Sequence, residues 1–529
     1  MHNRRLEYKI VSFSTTMRNP ERIVDFLKAL LPFERRILTH EIIMQIVTSL
    51  IKNKIYIPVY AKNHYKDILE SDEVFTNIQV QEIIDNSPQQ HKEAGFAHGW
   101  DSRFDTFYKL PMEFGFCFYA MNETLVISNS GHLLIDAINE IPSNEAKISN
   151  IFLNCMIKYQ TNNPFRKILN ENIPLVLLLQ VMKELRETMG DSKISTMEIP
   201  FFLCWRNNDC NALANYILDF RREYPSFTYS SEIVYEMCLE LLDSDNIKRF
   251  KISQICREAV DEYIRKMRIT GIISLRGNGR FLDFNTFEMP KIEYIIKEYS
   301  QVKTFSGKND YFKYLGEIDS HILEFEEKVT ISNKERLKLR TLMNFSKQYT
   351  KEQIYRELTI LCSKKSGSQN EVFKFIPEPT RLEFLTAIAL RQHFKDLEVL
   401  PNYSIDDEGL PKCHASGNQP DIICKDLVSN SIIEVSLICG RGQVNNELLP
   451  ITRHLKELME TNTNQSLKCF AIFIAPKIFE DSKRYVKFIK FDENLDIRNL
   501  NILDFIEKLK NADVQMLSID IALQENPQA

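Results

Sequence analysis

The sequence contains no apolar run long enough to cross a bilayer. Its longest mainly apolar stretch, Ile173 to Met182, is far short of the ~20 residues a spanning helix needs. No Cys-x-x-Cys pair occurs among the 11 cysteines, so neither a zinc ribbon nor a thioredoxin-like motif is suggested. Their odd number and scatter fit reduced thiols and a cytoplasmic location. The basic start, Met1-His2-Asn3-Arg4-Arg5, is followed by no long apolar run, so it does not read as a secretory signal. There is no low-complexity tract and no clear internal repeat. An excess of positive charge is also missing: 67 Lys and Arg face 72 Asp and Glu, a net charge of −5. That argues against a chain devoted wholly to nucleic acid, but leaves room for a local basic face.

What is present is an ordinary globular composition, 44% hydrophobic and 26% charged, over 529 residues. A chain of this length exceeds one core and suggests roughly three domains. In the first 140 residues, Arg22–Leu31 reads as a helix that breaks at Pro32. Thr39 caps a second helix to Ile51, with Ile42, Ile43, Ile46 and Leu50 inward. Helical pieces follow at Tyr65–Leu69 and Thr76–Asp85, and Glu123–Ser128 reads as a strand pair or wing. Trp100–Thr106 is aromatic and polar with Arg103 exposed by pattern, which suits contact with DNA; a packing loop is the plainer reading.

Further on, Asn170–Met189 and Asp209–Tyr224 read as helices. Ser253–Arg268 is helical with Ile255, Val260, Tyr263, Ile264 and Met267 inward. Ile272–Arg276 then pairs with Arg280–Asp283 through Gly277-Asn278-Gly279, a strong hairpin signal. A helix followed by a basic-tipped hairpin is the layout of a winged helix. Between 251 and 280, seven Lys and Arg face three acids, a local +4 opposed to the sign of the whole chain. Phosphate contact is the natural use of such a surface; a solvated helix face is the plainer one. Residues 291–350 read as charged, helical and connector-like.

The chemistry concentrates near the C-terminus. Pro377 and Pro379 halt what precedes, and Thr380 stands as an N-cap with Glu383 at the far end of a capping box. Asp421 precedes the short strand Ile422–Cys424. A polar turn leads to the strand Ser431–Ile438, where Ile432, Glu434, Ser436 and Ile438 share a face because side chains alternate. A carboxylate among apolar neighbours is costly unless compensated, by a metal ion, an Arg or backbone N–H groups. The hairpin can set Asp421 beside Glu434, and hard cations such as Mg²⁺ take oxygen ligands. Downstream, Gln443, Glu447 and His454 fall at one-turn spacings, but Pro450 requires the helix to kink or start there. Glu447 and His454 read equally as solvated groups, and Cys413-His414 reads as a loop. Leu467–Ala475 suits a buried central strand, Asn501–Lys510 a late helix, and the tail from Gln524 a loose end.

Pro420-Asp421 followed by Glu434 resembles the Pro-Asp…(Asp/Glu)-x-Lys core of a large nuclease superfamily, with Ser436 where that core usually has Lys. The set Glu383, Asp421, Glu434-Val435, Glu447 and His454 resembles, more narrowly, the AlwI family of type IIS restriction endonucleases, which includes strand-nicking members. Ser12–Ile23, Trp100–Thr106 with Gly115-Phe116, and Thr161–Phe165 look like that family's other motifs, so the resemblance runs from about Ser12 to about Ala475. It implies that Glu383, Asp421, Glu434, Glu447 and the Val435 carbonyl hold one or two Mg²⁺, with Mn²⁺ also suited. His454 then orients water or binds phosphate, and the products carry a 5′-phosphate and a 3′-hydroxyl.

The expectation is a multidomain α+β chain. Residues 1–140 and 141–290 form helical and winged-helix DNA-recognition units, 291–350 a helical linker, and 351–529 an α/β nuclease domain of PD-(D/E)XK type. The expected activity is Mg²⁺-dependent hydrolysis of duplex DNA outside an asymmetric site. Arg18, Arg22, Arg103, Arg265, Lys266, Arg268, Arg276 and Arg280 are the candidate DNA contacts. A homodimer or a second nuclease subunit would decide whether one strand or both are cut; no membrane partner is expected. The rival readings are a non-catalytic winged-helix DNA binder and a structure-specific DNA nuclease.

Overall fold

The computed structural model describes residues 6–13, 20–70, 73–140, 144–166, 168–225, 229–325, 330–362, 367–415, 419–440, 442–462, 464 and 466–524. Arg18 and the tail from 525 lie outside them. The chain is a helix-rich α+β protein in two compact units, Met1–Glu140 with Asn144–Lys328, and Ile141–Ser143 with Val329–Ala529. Among the described residues no helix is long and apolar enough to cross a membrane.

The first unit is mostly helical. His40–Lys52 starts where Thr39 accepts a hydrogen bond from the Ile42 N–H, and Ile42, Ile43, Ile46 and Leu50 are buried. Trp100–Thr106 is not a loop: it opens the helix Trp100–Glu113, launched from Gly99 at φ +103°. Phe104, Phe107 and Tyr108 make its inner face. Arg103 is not exposed either, for its guanidinium lies 4.5 Å from the Phe107 ring centroid and bonds the His91 ring.

A π-turn, Gln254–Glu258, leads into the helix Ala259–Arg268, whose Val260, Tyr263, Ile264 and Met267 are buried. Ile273–Arg276 and Phe281–Phe284 pair antiparallel as expected. Ile194–Ser195 joins the outer side of the second strand, completing a three-stranded sheet. Gly277, Asn278 and Gly279 all have positive φ at the tip, which only Gly and, at small cost, Asn adopt readily. The charged stretch 291–350 is divided between the units. Lys308–Gly316 buries Tyr311, Phe312 and Leu315 in the first, and Ile331–Gln348 belongs to the second.

The second unit is built on five strands: β1 (Glu398–Pro401), β2 (Ile422–Lys425), β3 (Ser429–Val435), β4 (Lys468–Ala475) and β5 (Ile497–Asn501). Their order is β5-β4-β3-β2-β1; β3, β4 and β5 run parallel, and β2 is antiparallel to both neighbours. Besides Ile331–Gln348 and Lys351–Leu361, the unit's helices include α1 (Glu378–His393), α2 (Leu449–Thr461), α3 (Glu480–Glu493) and α4 (Ile502–Gln515). Ile432, Ala471 and Phe473 pack with Leu455 of α2 and with Val486 and Ile489 of α3 in one core. The alternate residues Ile433, Phe470, Ile472 and Ile474 are equally buried and point the other way. This two-sided burial explains the nearly continuous apolar run of β4.

One buried ion cluster fixes the far edge. Arg498 of β5, 4% exposed, lies 4.0 Å from the Phe470 ring centroid and donates to Asp496 and Asp520. Burial pushes the Asp496 carboxyl up, but Arg498, Lys490 and Lys468 outweigh it and hold its pKa at about 2. Arg498→Met takes away the buried partner of both carboxylates and leaves them to Lys468 and Lys490, and should cost about 2 kcal/mol in a urea-unfolding measurement.

Candidate active site

The antiparallel ladder of β2 and β3 ends with Ile422 opposite Ile433. One step further, the strands exchange side-chain bonds instead. The Asp421 N–H donates to Glu434 Oε2 at 3.2 Å, and the Val435 N–H donates to Asp421 Oδ2 at 2.8 Å. The two carboxylates therefore stand side by side where the strands part.

Two further groups arrive from the next element. Pro450 cannot donate a backbone hydrogen bond, and the chain accommodates it with a π-turn, Val444–Leu448, ahead of α2. The turn carries Glu447, whose Oε1 accepts from the Ser436 hydroxyl at 2.7 Å. From α2, His454 Nδ1 lies 2.7 Å from Glu434 Oε1. The contact ties the ring to the carboxyl, one proton lying between them. His454 Nε2 is buried without a hydrogen-bond partner among the described residues. Glu447 and His454 are thus not solvated surface groups: the first is half-buried and the second buried. Gln443, by contrast, is a structural pin. It donates to the Ile438 and Lys477 carbonyls and accepts from the Phe479 N–H and the Ser482 hydroxyl.

Glu383 lies inside α1, not at the end of a capping box. Pro379 is admitted in the first helical turn, so α1 starts at Glu378 with Pro377 as N-cap, and Thr380 is buried within the helix. Glu383 Oε2 accepts the Ala415 N–H at 3.3 Å. The preceding residue, His414, follows the short strand Pro411–Cys413, and its charge acts on both Asp421 and Glu447. Sequence reading gives His414 no more than a loop, and Ser436 no more than the place of a missing Lys. The i, i+2 step from Glu434 to Ser436 is a usable signal for the second; the first is brought in by tertiary folding alone.

The electrostatics are those of crowded acids. Burial, then the charges of Glu434 and Glu447, push Asp421 well above the usual carboxylate range, against the pull of the Val435 N–H. Burial and Glu447 raise Glu434 to about 8, and burial raises Glu447 to about 7. Burial lowers the His454 pKa. The oxygens are engaged in internal hydrogen bonds. Among the described residues, no three His, Cys, Asp or Glu side chains stand ready-made as a metal group.

The basic residues of the first unit divide. Arg22 and Arg280 are exposed, and Arg265 and Arg268 half-buried. Two do not face outward as expected. Lys266 is 1% exposed and lies 3.9 Å from Glu262. Arg276 donates to Asp283 and to the Phe284 carbonyl, which ties the two strands of the hairpin together.

The AlwI restriction endonuclease family model matches residues 112–349 and 324–506. The chain belongs to this family. It is accordingly a restriction endonuclease, a site-specific deoxyribonuclease. The AlwI match spans Gly115-Phe116, Thr161–Phe165, the whole hairpin at 273–284 and the acids from Glu383 to Glu447; Ser12–Ile23 and Trp100–Thr106 precede it. No curated protein matches the chain. Solved structures similar to it include the small subunit of the heterodimeric restriction endonuclease R.BspD6I, 22% identical, covering 33% of this chain and 82% of that one at a TM-score of 0.25. Restriction endonuclease FokI is 11% identical, over 97% of both chains, at TM-scores of 0.27 alone and 0.25 bound to DNA. Membership in the AlwI family rests on the family model; scores this low add nothing to it.

Proposed function

We propose that this protein is a type IIS enzyme of the AlwI family that binds an asymmetric site on duplex DNA through its first unit and hydrolyses the backbone outside that site with its second. The observation that carries this reading is the meeting of Asp421, Glu434, Glu447 and His454 at the parting of β2 and β3. Buried acids with raised pKa values are the usual mark of a functional site. In a family of nucleases their work is cleavage, on a core of PD-(D/E)XK type.

The donor set fits a hard divalent cation. It is all oxygen, it is acidic, and its mutual repulsion is what a cation would relieve. Asp421, Glu434 and Glu447, with the Val435 carbonyl, would hold Mg²⁺ or Mn²⁺, and Glu383 would serve from α1. Such an ion, when bound, lowers the pKa of water and neutralises charge on the phosphate. Asp421 and Glu434 fix one another through their backbone N–H bonds, Ser436 orients Glu447, and Glu434 orients His454 with its Nε2 turned to water or phosphate. In the hydrolysis, the water oxygen bonds to phosphorus and the bond from phosphorus to the 3′ oxygen breaks. A 5′-phosphate remains, and a proton from water ends on the 3′-hydroxyl.

Within the first unit, the helix Ala259–Arg268 and the hairpin behind it serve as a winged helix, with Arg265, Arg268 and Arg280 on phosphates and the exposed Arg22 as a further contact. A second copy, or a second nuclease subunit, would cut the other strand. The cytoplasm, where reduced thiols persist, is the setting. The decisive experiment incubates the purified protein with phage DNA and Mg²⁺ and sequences the ends. Breaks at a fixed offset from one asymmetric sequence support the reading; binding without breaks, or breaks set by DNA structure alone, overturn it. Arg280→Ala tests the wing: affinity should fall about fivefold for every sequence, and the slope of log affinity against log salt should flatten by about one.

A further inference from the structure

Asp421 is held by more than the hairpin that carries it. Across from it stands Asn402, the first residue after β1, one step beyond the Pro401–Ile422 pair that ends the ladder of β1 and β2. The Asn402 N–H donates to the Asp421 carbonyl oxygen at 2.9 Å. Its side-chain amide donates to the Pro420 carbonyl oxygen at 2.6 Å. A carbonyl only accepts, so Nδ2 is the atom turned towards it. One residue therefore holds both peptides that flank Asp421. The Pro420–Asp421 peptide is bound on both sides, its C=O by Asn402 and its N–H by Glu434 Oε2 at 3.2 Å. A hydrogen bond at a peptide oxygen strengthens the one made by its N–H, so the Asn402 amide acts on both carboxylates. Asn402 is itself fixed, for the carbonyl of Pro401 before it accepts from Lys338 Nζ at 3.0 Å. Lys338 is buried and comes from the helix Ile331–Gln348.

We propose that Asn402 is a positioning residue of the cleavage centre: its side-chain amide holds the Pro420–Asp421 peptide so that Asp421 and Glu434 present their carboxylates to one divalent cation. The inference rests on the reading of these acids as cation ligands. Removing a group that orients a metal's ligands from behind typically costs about 10- to 100-fold in affinity or activity. The two hydrogen bonds of Asn402 have separate tasks. The backbone bond continues the sheet and survives any substitution except proline. The side-chain bond serves the entry into β2. Losing the second should leave the sheet intact and loosen the acid pair.

The test compares full-length wild type, Asn402→Ala, Asn402→Leu, Asn430→Ala and Asp421→Asn. Melting temperature is followed without DNA as Mg²⁺ is added, each variant measured from its own metal-free value. Single-turnover cleavage of duplex DNA is followed over the same Mg²⁺ range. For Asn402→Ala, the Mg²⁺ concentration that gives a fixed rise in melting temperature should be about tenfold higher, and so should that for half-maximal cleavage. Its rate at saturating Mg²⁺ should stay within about threefold of wild type, and its DNA affinity in EDTA within about twofold, because the ligands and the first unit are unchanged. Asn402→Leu keeps the volume and removes the donor, and should behave like Asn402→Ala. Asn430, at the other end of β3, donates to Asn462. Asn430→Ala should lower the metal-free melting temperature, as a lost hydrogen bond does, and leave the Mg²⁺ requirement alone. An Mg²⁺ requirement within about twofold of wild type for Asn402→Ala, a rise in only one of the two Asn402 variants, or an equal rise in Asn430→Ala each overturns the role. If Mg²⁺ neither raises the melting temperature of wild type nor supports cleavage, the cation reading fails and takes the role with it; if wild type responds and Asp421→Asn does not, that reading stands and Asn402 is judged by itself.

Discussion

Asp421→Asn should reduce DNA cleavage by about a thousandfold or more, the scale expected when charge stabilisation worth several kcal/mol is withdrawn from a phosphoryl transition state. Asparagine is the informative replacement because of what Asp421 does structurally. Its Oδ2 accepts the Val435 N–H, and an amide oxygen can go on accepting it. Alanine would leave that buried donor without a partner and confuse lost chemistry with lost structure. The variant should bind its DNA site as tightly as wild type, since on this reading the first unit holds the site and Asp421 belongs to the second. Gel-shift titration in EDTA and cleavage in Mg²⁺ measure the two quantities separately. Cleavage retained within about tenfold would remove Asp421 from the chemistry.

The parts of this site that were legible in the sequence are those fixed by local geometry. Alternation along a strand and thirteen residues of hairpin are enough to set Asp421 opposite Glu434, because strand pairing has a short period and a short turn. The inward faces of His40–Lys52 and Ala259–Arg268 follow the helical repeat in the same way. What was not legible depends on partners far along the chain. Arg103 looks exposed on its own turn; only folding brings Tyr56 and His91 to it. Lys266 counts as positive surface in any sum of charges, yet Glu262 one turn earlier shares its burial. The start of α1 misled for a different reason. Pro379 marks the first turn of a helix as readily as a break before one, and Thr380 supplied a false cap just beyond it. Glu383 is the sharpest case: thirty-two residues separate it from Ala415, whose N–H its Oε2 accepts, and nothing in the spacing announces that folding brings the two together.

The acids that make the site should also make the metal-free protein less stable as the solution becomes more alkaline. Glu434 and Glu447 hold their protons to about 8 and about 7 in the folded chain, whereas an unfolded Glu loses its proton near ~4.3. Between those limits the folded state binds more protons than the unfolded state, so stability falls with rising pH, and the loss is complete above the folded values. The sign is opposite to that of Asp496, whose folded pKa is depressed to about 2 and whose stabilisation is lost only as the pH falls through that value. A tenfold difference in proton affinity between the folded and unfolded chains is worth about 1.4 kcal/mol, so Glu434→Gln should be more stable than wild type in EDTA at pH 8 and nearly equal to it at pH 4. Mg²⁺ should raise the melting temperature of wild type at pH 8 by several degrees, through binding linked to folding, and should raise that of Glu434→Gln little. Scanning calorimetry at the two pH values, with and without Mg²⁺, reads all four corners. A wild type that melts at the same temperature in EDTA and in Mg²⁺ at pH 8 would mean that these carboxylates meet no cation, and the cleavage assigned to them would have to be carried elsewhere.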